Sequence, residues 1–263
     1  MDRRQFNAAL MLGSLSGLVG QPAQAQQQTA AGGGPARPVI GMLIYPEMIL
    51  LDLVGPLTAF NILQAEIRLI ARTAEPVATD VGIGIAPTAS FEVPSSGFDV
   101  LFVPGGLKGT IDAMKDQVTL DFLKSAGDQS RFVTSVCTGS LLLGAAGLLK
   151  GYNATSHWYV RDLLPLMGAA TVKDRVVEDR NRITAGGVTA GIDFGLTLAA
   201  RLRGEEAAKR IQLLLEYDPK PPFAAGTPDQ AGSALTQDIL HRRGALISEA
   251  EKAARAAGAR LGI

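Results

Sequence analysis

The chain carries one cysteine, Cys137, in the run Phe132-Val133-Thr134-Ser135-Val136-Cys137-Thr138-Gly139-Ser140. A β-branched apolar strand leads straight into an apolar helix, with the cysteine between them. That order predicts a nucleophile elbow, which presents a side chain on a sharp strand-to-helix turn. In an open α/β fold such a turn lies at the carboxyl end of the sheet, where ligands bind. The helix N-terminus beneath the sulfur would favour the thiolate. An unperturbed thiol is only about 3% ionised at pH 7, so such help matters. A buried structural cysteine is the alternative, since free cysteines are among the most buried residues. The strand-to-helix junction and Gly139 favour the nucleophile.

Several other residues could serve that thiol. Asp52 lies in the apolar stretch Met48-Ile49-Leu50-Leu51-Asp52-Leu53-Val54-Gly55-Pro56. It could cap the helix that follows. It could also be a general acid/base whose pKa is raised by apolar surroundings. Pro104-Gly105-Gly106 ends a buried strand, and backbone N–H groups at Gly105 and Gly106 could face a ligand and stabilise developing negative charge. Thr138 follows the nucleophile; its amide is a natural oxyanion donor, and its hydroxyl could bond a polar neighbour or cap the helix. His157 could pair with the thiol, but it lies 20 residues beyond the elbow beside Trp158 and reads more readily as packing. Gly186-Gly187-Val188-Thr189-Ala190-Gly191-Ile192-Asp193 joins a strand to a helix, with Asp193 as a cap or anchor. Thr189 could line a pocket there. His241 sits in an Arg-rich tail and receives no role.

Composition excludes several functions. Lys plus Arg and Asp plus Glu each number 25, so the balanced chain gives no electrostatic case for nucleic acid or an anionic membrane. One cysteine forms no internal disulfide and no cysteine-rich zinc site. With only two histidines, a three-histidine zinc centre is impossible. Residues 1–25 combine Arg3-Arg4, an apolar run over 8–19 and Ala23-Gln24-Ala25, the pattern of a cleaved export signal too short for a membrane span. Arg3-Arg4-Gln5-Phe6 looks like a twin-arginine signal. Export would place the mature protein in the periplasm or outside the cell. Residues 26–37 are polar and Gly-rich and read as a flexible linker.

These residues need a scaffold, and the rest of the chain predicts one. Hydrophobic residues make up 47% of the sequence, enough for a sizeable core. Strands are expected over 39–45, 66–71, 99–103, 132–136 and 182–185, and a two-stranded hairpin over 81–91. Helices are expected over 53–65, 111–126, 138–149, 158–167, 188–202 and 205–216. A further Ala- and Arg-rich helix over 235–261 would lie on the surface or against a partner. Alternation of buried strands and helices predicts an α/β fold, a flavodoxin-like parallel sheet with helices on both faces. The domain would span 38–231, with a C-terminal helical segment over 232–263.

The motifs together resemble the DJ-1/PfpI superfamily. They are Val100-Leu101-Phe102-Val103-Pro104-Gly105-Gly106, Ser135-Val136-Cys137-Thr138-Gly139-Ser140 and Ala185-Gly186-Gly187-Val188-Thr189-Ala190-Gly191-Ile192-Asp193. Within it the chain most resembles the isocyanide (isonitrile) hydratases, through Leu51-Asp52-Leu53-Val54-Gly55-Pro56, Thr155-Ser156-His157-Trp158 and Leu215-Glu216-Tyr217-Asp218-Pro219-Lys220-Pro221-Pro222-Phe223. The resemblance implies that Cys137 attacks the isocyanide carbon, that Asp52 handles protons and that Thr138 assists. The product would be an N-substituted formamide, formed through a thioimidate. It implies no metal or organic cofactor and a homodimer. The chain departs from the PfpI proteases, which place histidine after the nucleophile where Thr138 stands. Leu107-Lys108-Gly109-Thr110 also departs from the hydratase pattern. A glyoxalase-type or other small-molecule cysteine hydrolase is the alternative on the same site. A non-enzymatic redox- or ligand-sensing protein of this superfamily is the other.

Overall fold

Short apolar runs rich in valine, isoleucine and leucine build the centre of the fold. The computed structural model describes residues 36–92 and 97–263. The expected export signal and all but the last two residues of the expected linker lie outside the described residues. In chain order the elements are β1 (Val39–Leu43), α1 (Leu50–Ile62), β2 (Glu66–Ala71), β3 (Val77–Ala78), β4 (Gly84–Ile85), β5 (Ala89–Ser90) and β6 (Val100–Val103). Next come α2 (Leu107–Lys115), α3 (Gln117–Gln129), β7 (Phe132–Val136), α4 (Gly139–Ala145), β8 (Asn153–Ala154), a 3-10 helix (Arg161–Met167) and β9 (Ala170–Thr171). The chain ends with β10 (Val176–Asp179), β11 (Arg182–Ala185), α5 (Ala190–Arg203), α6 (Glu205–Leu214) and α7 (Pro228–Arg260).

Seven strands form one sheet in the order β10-β11-β7-β6-β1-β2-β5. Every pairing in it is parallel except β10 with β11. A parallel sheet is covered on both faces, so its strands are apolar throughout. All four residues of β6 are buried. Two groups of helices flank the sheet, α1 with α5 and α6, and α2 with α4 and α7. Phe102 of β6 stacks on Phe194 of α5, centroids 5.5 Å apart, and Phe194 meets Phe60 of α1 edge-on at 6.0 Å. The α/β flavodoxin-like expectation holds. β1 pairs with β2 on one side and β6 on the other, so the strand order reverses there. In this fold class that reversal marks the ligand crevice.

The structure corrects several local expectations. No hairpin spans 81–91: β4 pairs antiparallel with β3, while β5 adds to the edge of the main sheet beside β2. The helix expected over 111–126 is two, because Asp116 is extended (φ −89°, ψ 102°) and its carboxylate accepts from the Thr119 hydroxyl at 2.6 Å. The segment expected as helix over 158–167 is a 3-10 turn containing Pro165. The helix after Cys137 stops at Ala145, and Gly147 follows with φ 76°. β10 was not foreseen; it is the one antiparallel strand of the main sheet.

The C-terminal helix starts at Pro228, ahead of the expected boundary at 232, with Gly232 as a kink. It belongs to the same compact unit as the sheet, Arg37–Ile263. Its face of Ala250, Ala253, Ala254, Ala257 and Gly258 is buried against the 3-10 helix, α2 and α4. That apolar stripe therefore packs within its own chain. A Cβ on Gly258 would stand 2.1 Å from the carbonyl oxygen of Leu166, whereas one on Gly244 meets open space. Gly→Ala ordinarily stabilises a helix by about 1 kcal/mol. Gly244→Ala is expected to do so in denaturant unfolding. Gly258→Ala is expected to reverse the sign, destabilising by about 1–3 kcal/mol through overpacking.

Candidate active site

Three strand ends converge at the switch point, and each delivers one part of a site. β7 ends at Val136, and Cys137 turns the chain with φ 57°. That left-handed conformation costs about 1–2 kcal/mol for a side chain other than glycine. The surroundings enforce it: the Cys137 N–H donates to the carbonyls of Ala185 (3.0 Å) and Gly186 (2.8 Å). The Cys137 carbonyl accepts from the hydroxyls of Ser156 (3.0 Å) and Ser140 (3.3 Å). The elbow foreseen from the sequence is present. Gly139 lets it sit against β6, since a Cβ there would be 2.4 Å from the Val103 carbonyl oxygen.

β1 leads into the second part. α1 begins at Leu50 with Ile49 at its cap, so Asp52 is inside the first turn and does not cap it. Asp52 is fully buried, and its Oδ2 accepts from the Gly105 N–H at 2.9 Å. Its other oxygen, Oδ1, is buried and accepts from no N–H or O–H group among the described residues. The Cys137 thiol is the remaining polar neighbour of the carboxyl. Burial pushes the Asp52 pKa up to about 7, while the Gly105 hydrogen bond and the nearby Cys137 thiol pull it down and Asp80 raises it.

β6 supplies the third part, the Pro104-Gly105-Gly106 turn. A Cβ on Gly105 would lie 2.7 Å from Asp52 Oδ2, from Cys137 Cβ and from Thr138 N, so nucleophile and carboxylate crowd one point that only glycine can occupy. The two glycine amides were expected to face a ligand. They do not: Gly105 N–H holds Asp52, and Gly106 N–H donates to Thr138 Oγ1 at 2.9 Å. The Thr138 hydroxyl is likewise committed inward and makes no cap to α4. Its amide faces the sulfur together with the amide of Val188, and both favour the thiolate. Val188 escaped the sequence reading, although the Gly186-Gly187 pair before it had marked a close approach.

Burial outweighs those two donors. The Cys137 thiol is fully buried and its pKa is pushed up, first by loss of water and second by the neighbouring Asp52 charge. The expected thiolate at a helix N-terminus is therefore not the resting form. The arrangement is a thiol beside a carboxylate able to take its proton.

A cleft of about 510 Å3 opens beside the elbow, lined by Ser156, His157, Val188, Thr189 and Arg175 among others. His157 is mostly buried, its ring centroid 3.9 Å from that of Tyr159 and its edge against Gly187. Burial, then Arg243 and Arg161, lowers its pKa to about 4, so it is neutral near pH 7. It is a cleft wall, with no hydrogen bond to the thiol. Burial raises the pKa of the adjoining Tyr159 to about 12; Cys137 and Asp52 act in the same direction and Arg243 against it. Thr189 Oγ1 accepts from Arg175 at 3.2 Å, and Asp193 Oδ2 accepts from Arg175 (2.8 Å) and from the Tyr217 hydroxyl (2.9 Å). Asp193 thus anchors α5, and it ties in the Leu215–Phe223 motif through Tyr217. Among the described residues no three His, Cys, Asp or Glu side chains are grouped to hold a metal. None of the described helices is long and apolar enough to cross a membrane.

This fold with this elbow is that of a known family. Residues 39–201 match the model of the DJ-1/PfpI family, and the chain belongs to it. It is 50% identical over 204 residues to a protein named isonitrile hydratase from Pseudomonas putida, covering 77% of this chain and 89% of that one. It is 33% identical over 141 residues to the HTH-type transcriptional regulator GbdR of Pseudomonas aeruginosa, covering 52% of this chain but 37% of the regulator. The crystal structure of a THiJ/PfpI family protein from Pseudomonas syringae superposes with a TM-score of 0.81 at 44% identity, covering 89% of this chain and 97% of that one.

The raised Asp52 pKa has a thermodynamic signature. The folded state keeps this proton up to about pH 7, whereas an unfolded aspartate releases it near pH 4. Folding stability from this group is therefore present at low pH and lost as pH rises between those values. Asp52→Asn removes the loss. Its stability relative to wild type is expected to climb by on the order of 2–4 kcal/mol from pH 4 to pH 8, measured by urea unfolding across pH.

Proposed function

We propose that the protein hydrates an isocyanide to an N-substituted formamide through a covalent thioimidate on Cys137. The observation that carries this reading is the buried pairing of Cys137 with the Asp52 carboxyl, whose pKa is near neutrality. Similarity to a named isonitrile hydratase over most of both chains supports an enzyme with that substrate class.

The chemistry asks for one group that gives and takes protons beside one nucleophile. Asp52 accepts the Cys137 proton as the sulfur forms a bond to the terminal carbon of R–N≡C. The same proton then passes to that carbon, giving R–N=CH–S–Cys137. Asp52, again a carboxylate, takes a proton from water as the hydroxide adds to carbon, and the nitrogen receives it. Collapse of R–NH–CH(OH)–S breaks the C–S bond, releases R–NH–CHO and returns the hydroxyl proton to sulfur. The Thr138 and Val188 amides, which favour the thiolate, stabilise the leaving sulfur in this last step. A general acid/base serves best with a pKa near the working pH, and about 7 meets that demand.

Steady-state formation of formamide from an aryl isocyanide tests the reading. Wild-type turnover is expected, with loss to background in Cys137→Ala and a drop of about 100-fold or more in Asp52→Asn. A protein that ignores isocyanides but consumes methylglyoxal through Cys137 would overturn this reading in favour of a glyoxalase-type activity.

A further inference from the structure

Leu107-Lys108-Gly109-Thr110, the stretch that departs from the hydratase pattern, carries a hydroxyl into the ground beneath the site. We propose that Thr110 and Tyr45 are positioning residues that lock the Pro104-Gly105-Gly106 turn, and through it hold Asp52 against Cys137. This rests on the reading of Cys137 and Asp52 as a working pair.

The turn is held at every polar main-chain atom. The Pro104 carbonyl accepts from the Tyr45 hydroxyl at 2.7 Å. Gly105 N–H donates to Asp52 Oδ2 at 2.9 Å, and the Gly105 carbonyl accepts from Ile49 N–H at 2.8 Å. Gly106 N–H donates to Thr138 Oγ1 at 2.9 Å, and the Gly106 carbonyl accepts from Thr110 N–H at 2.7 Å. Gly106 has φ 141°, and a Cβ on it would be 2.4 Å from the Glu47 carbonyl oxygen, so the turn cannot slide toward β1.

Three buried hydroxyls complete the lock. Tyr45 Oη and Thr110 Oγ1 are 3.0 Å apart, and Thr110 Oγ1 and Thr138 Oγ1 are 2.8 Å apart. Each hydroxyl has one proton. Tyr45 spends its own on Pro104, so Thr110 donates to Tyr45 and Thr138 donates to Thr110. The chain runs one way and ends on the Pro104 carbonyl. Thr138 therefore has no hydroxyl proton left for a substrate, and its hydroxyl positions the turn as well. Burial drives the Tyr45 pKa far up, so the phenol keeps its proton. Gly109 allows the arrangement: a Cβ there would be 2.0 Å from the Pro46 carbonyl oxygen, so only glycine lets α2 approach closely enough for Thr110 to reach Tyr45.

Removing a link leaves a buried hydroxyl unpaired and frees the turn, so Asp52 loses its Gly105 donor and its alignment. The donor stabilises the carboxylate, so its loss moves the Asp52 pKa upward. The other titratable and charged groups facing Asp52 are Cys137, Tyr45, Tyr159 and Asp80, and none of the charged ones is altered in the test.

Thr110→Val, Thr110→Ser and Tyr45→Phe would be compared with wild type in two assays, after thermal unfolding has verified a folded protein. The first is isocyanide hydration; the second is the pH dependence of Cys137 alkylation by iodoacetamide, which needs no substrate. Thr110→Val and Tyr45→Phe are expected to lower kcat about tenfold or more with KM within about twofold. They are also expected to raise, by about half a unit or more, the pH at which the Asp52 carboxylate first acts as base and activates Cys137 toward alkylation. Thr110→Ser restores both. Wild-type kcat and alkylation profiles in Tyr45→Phe and Thr110→Val would overturn the proposal, as would a Thr110→Ser variant as impaired as Thr110→Val. Absence of turnover in the wild type would sink the hydratase reading alone, because the alkylation profiles still decide the positioning roles. If Thr110→Val does not fold, Tyr45→Phe, which deletes one oxygen, decides.

Discussion

The site depends on one backbone amide, that of Gly105, donating to a buried carboxylate in a space that admits no Cβ. A carboxylate out of water is expensive unless donors satisfy it. With one donor and a thiol beside it, Asp52 is neither fully stabilised nor abandoned, and its pKa settles near neutrality. A second N–H on Oδ1 would return it toward an ordinary acid.

The parallel sheet makes this contact possible. β1, β6 and β7 run side by side in register, Met42 beside Phe102 and Phe102 beside Thr134, so their carboxyl ends emerge together. Asp52 follows the first, Gly105 the second and Cys137 the third. β11, next to β7, brings the carbonyls of Ala185 and Gly186 under the Cys137 amide and holds the elbow in its left-handed turn. The strain at Cys137 is held by four hydrogen bonds from three chain segments, and relaxing it would break several of them at once.

Much of this was legible in the sequence. Buried strands announce themselves as apolar runs such as Val100-Leu101-Phe102-Val103, and glycines after them mark tight turns. Cys137 between a strand and a helix pointed to the elbow, and Asp52 in an apolar stretch pointed to a raised pKa. The break at Asp116 was readable too, as an aspartate three residues before a threonine, but a long amphipathic period concealed it. What was not legible depends on register between distant segments. The Gly105 and Gly106 amides, foreseen as ligand donors, turn inward because Asp52 and Thr138 arrive from 53 and 32 residues away. Tyr45, Thr110 and the Val188 amide gain their places in the same way. Sequence also favoured a thiolate, because helix position is local, while the burial that opposes it is a property of the whole fold.

The account stands or falls on Asp52 and Cys137 acting on each other's protons. Thiolate absorbance of the wild type, followed against pH beside Asp52→Asn, measures this directly. The wild-type thiol is expected to ionise well above its ordinary range, and the variant, lacking the adjacent negative charge, at lower pH. Identical ionisation midpoints in the two proteins would contradict the account, because Asp52 would then be a neighbour of the sulfur without influence on it.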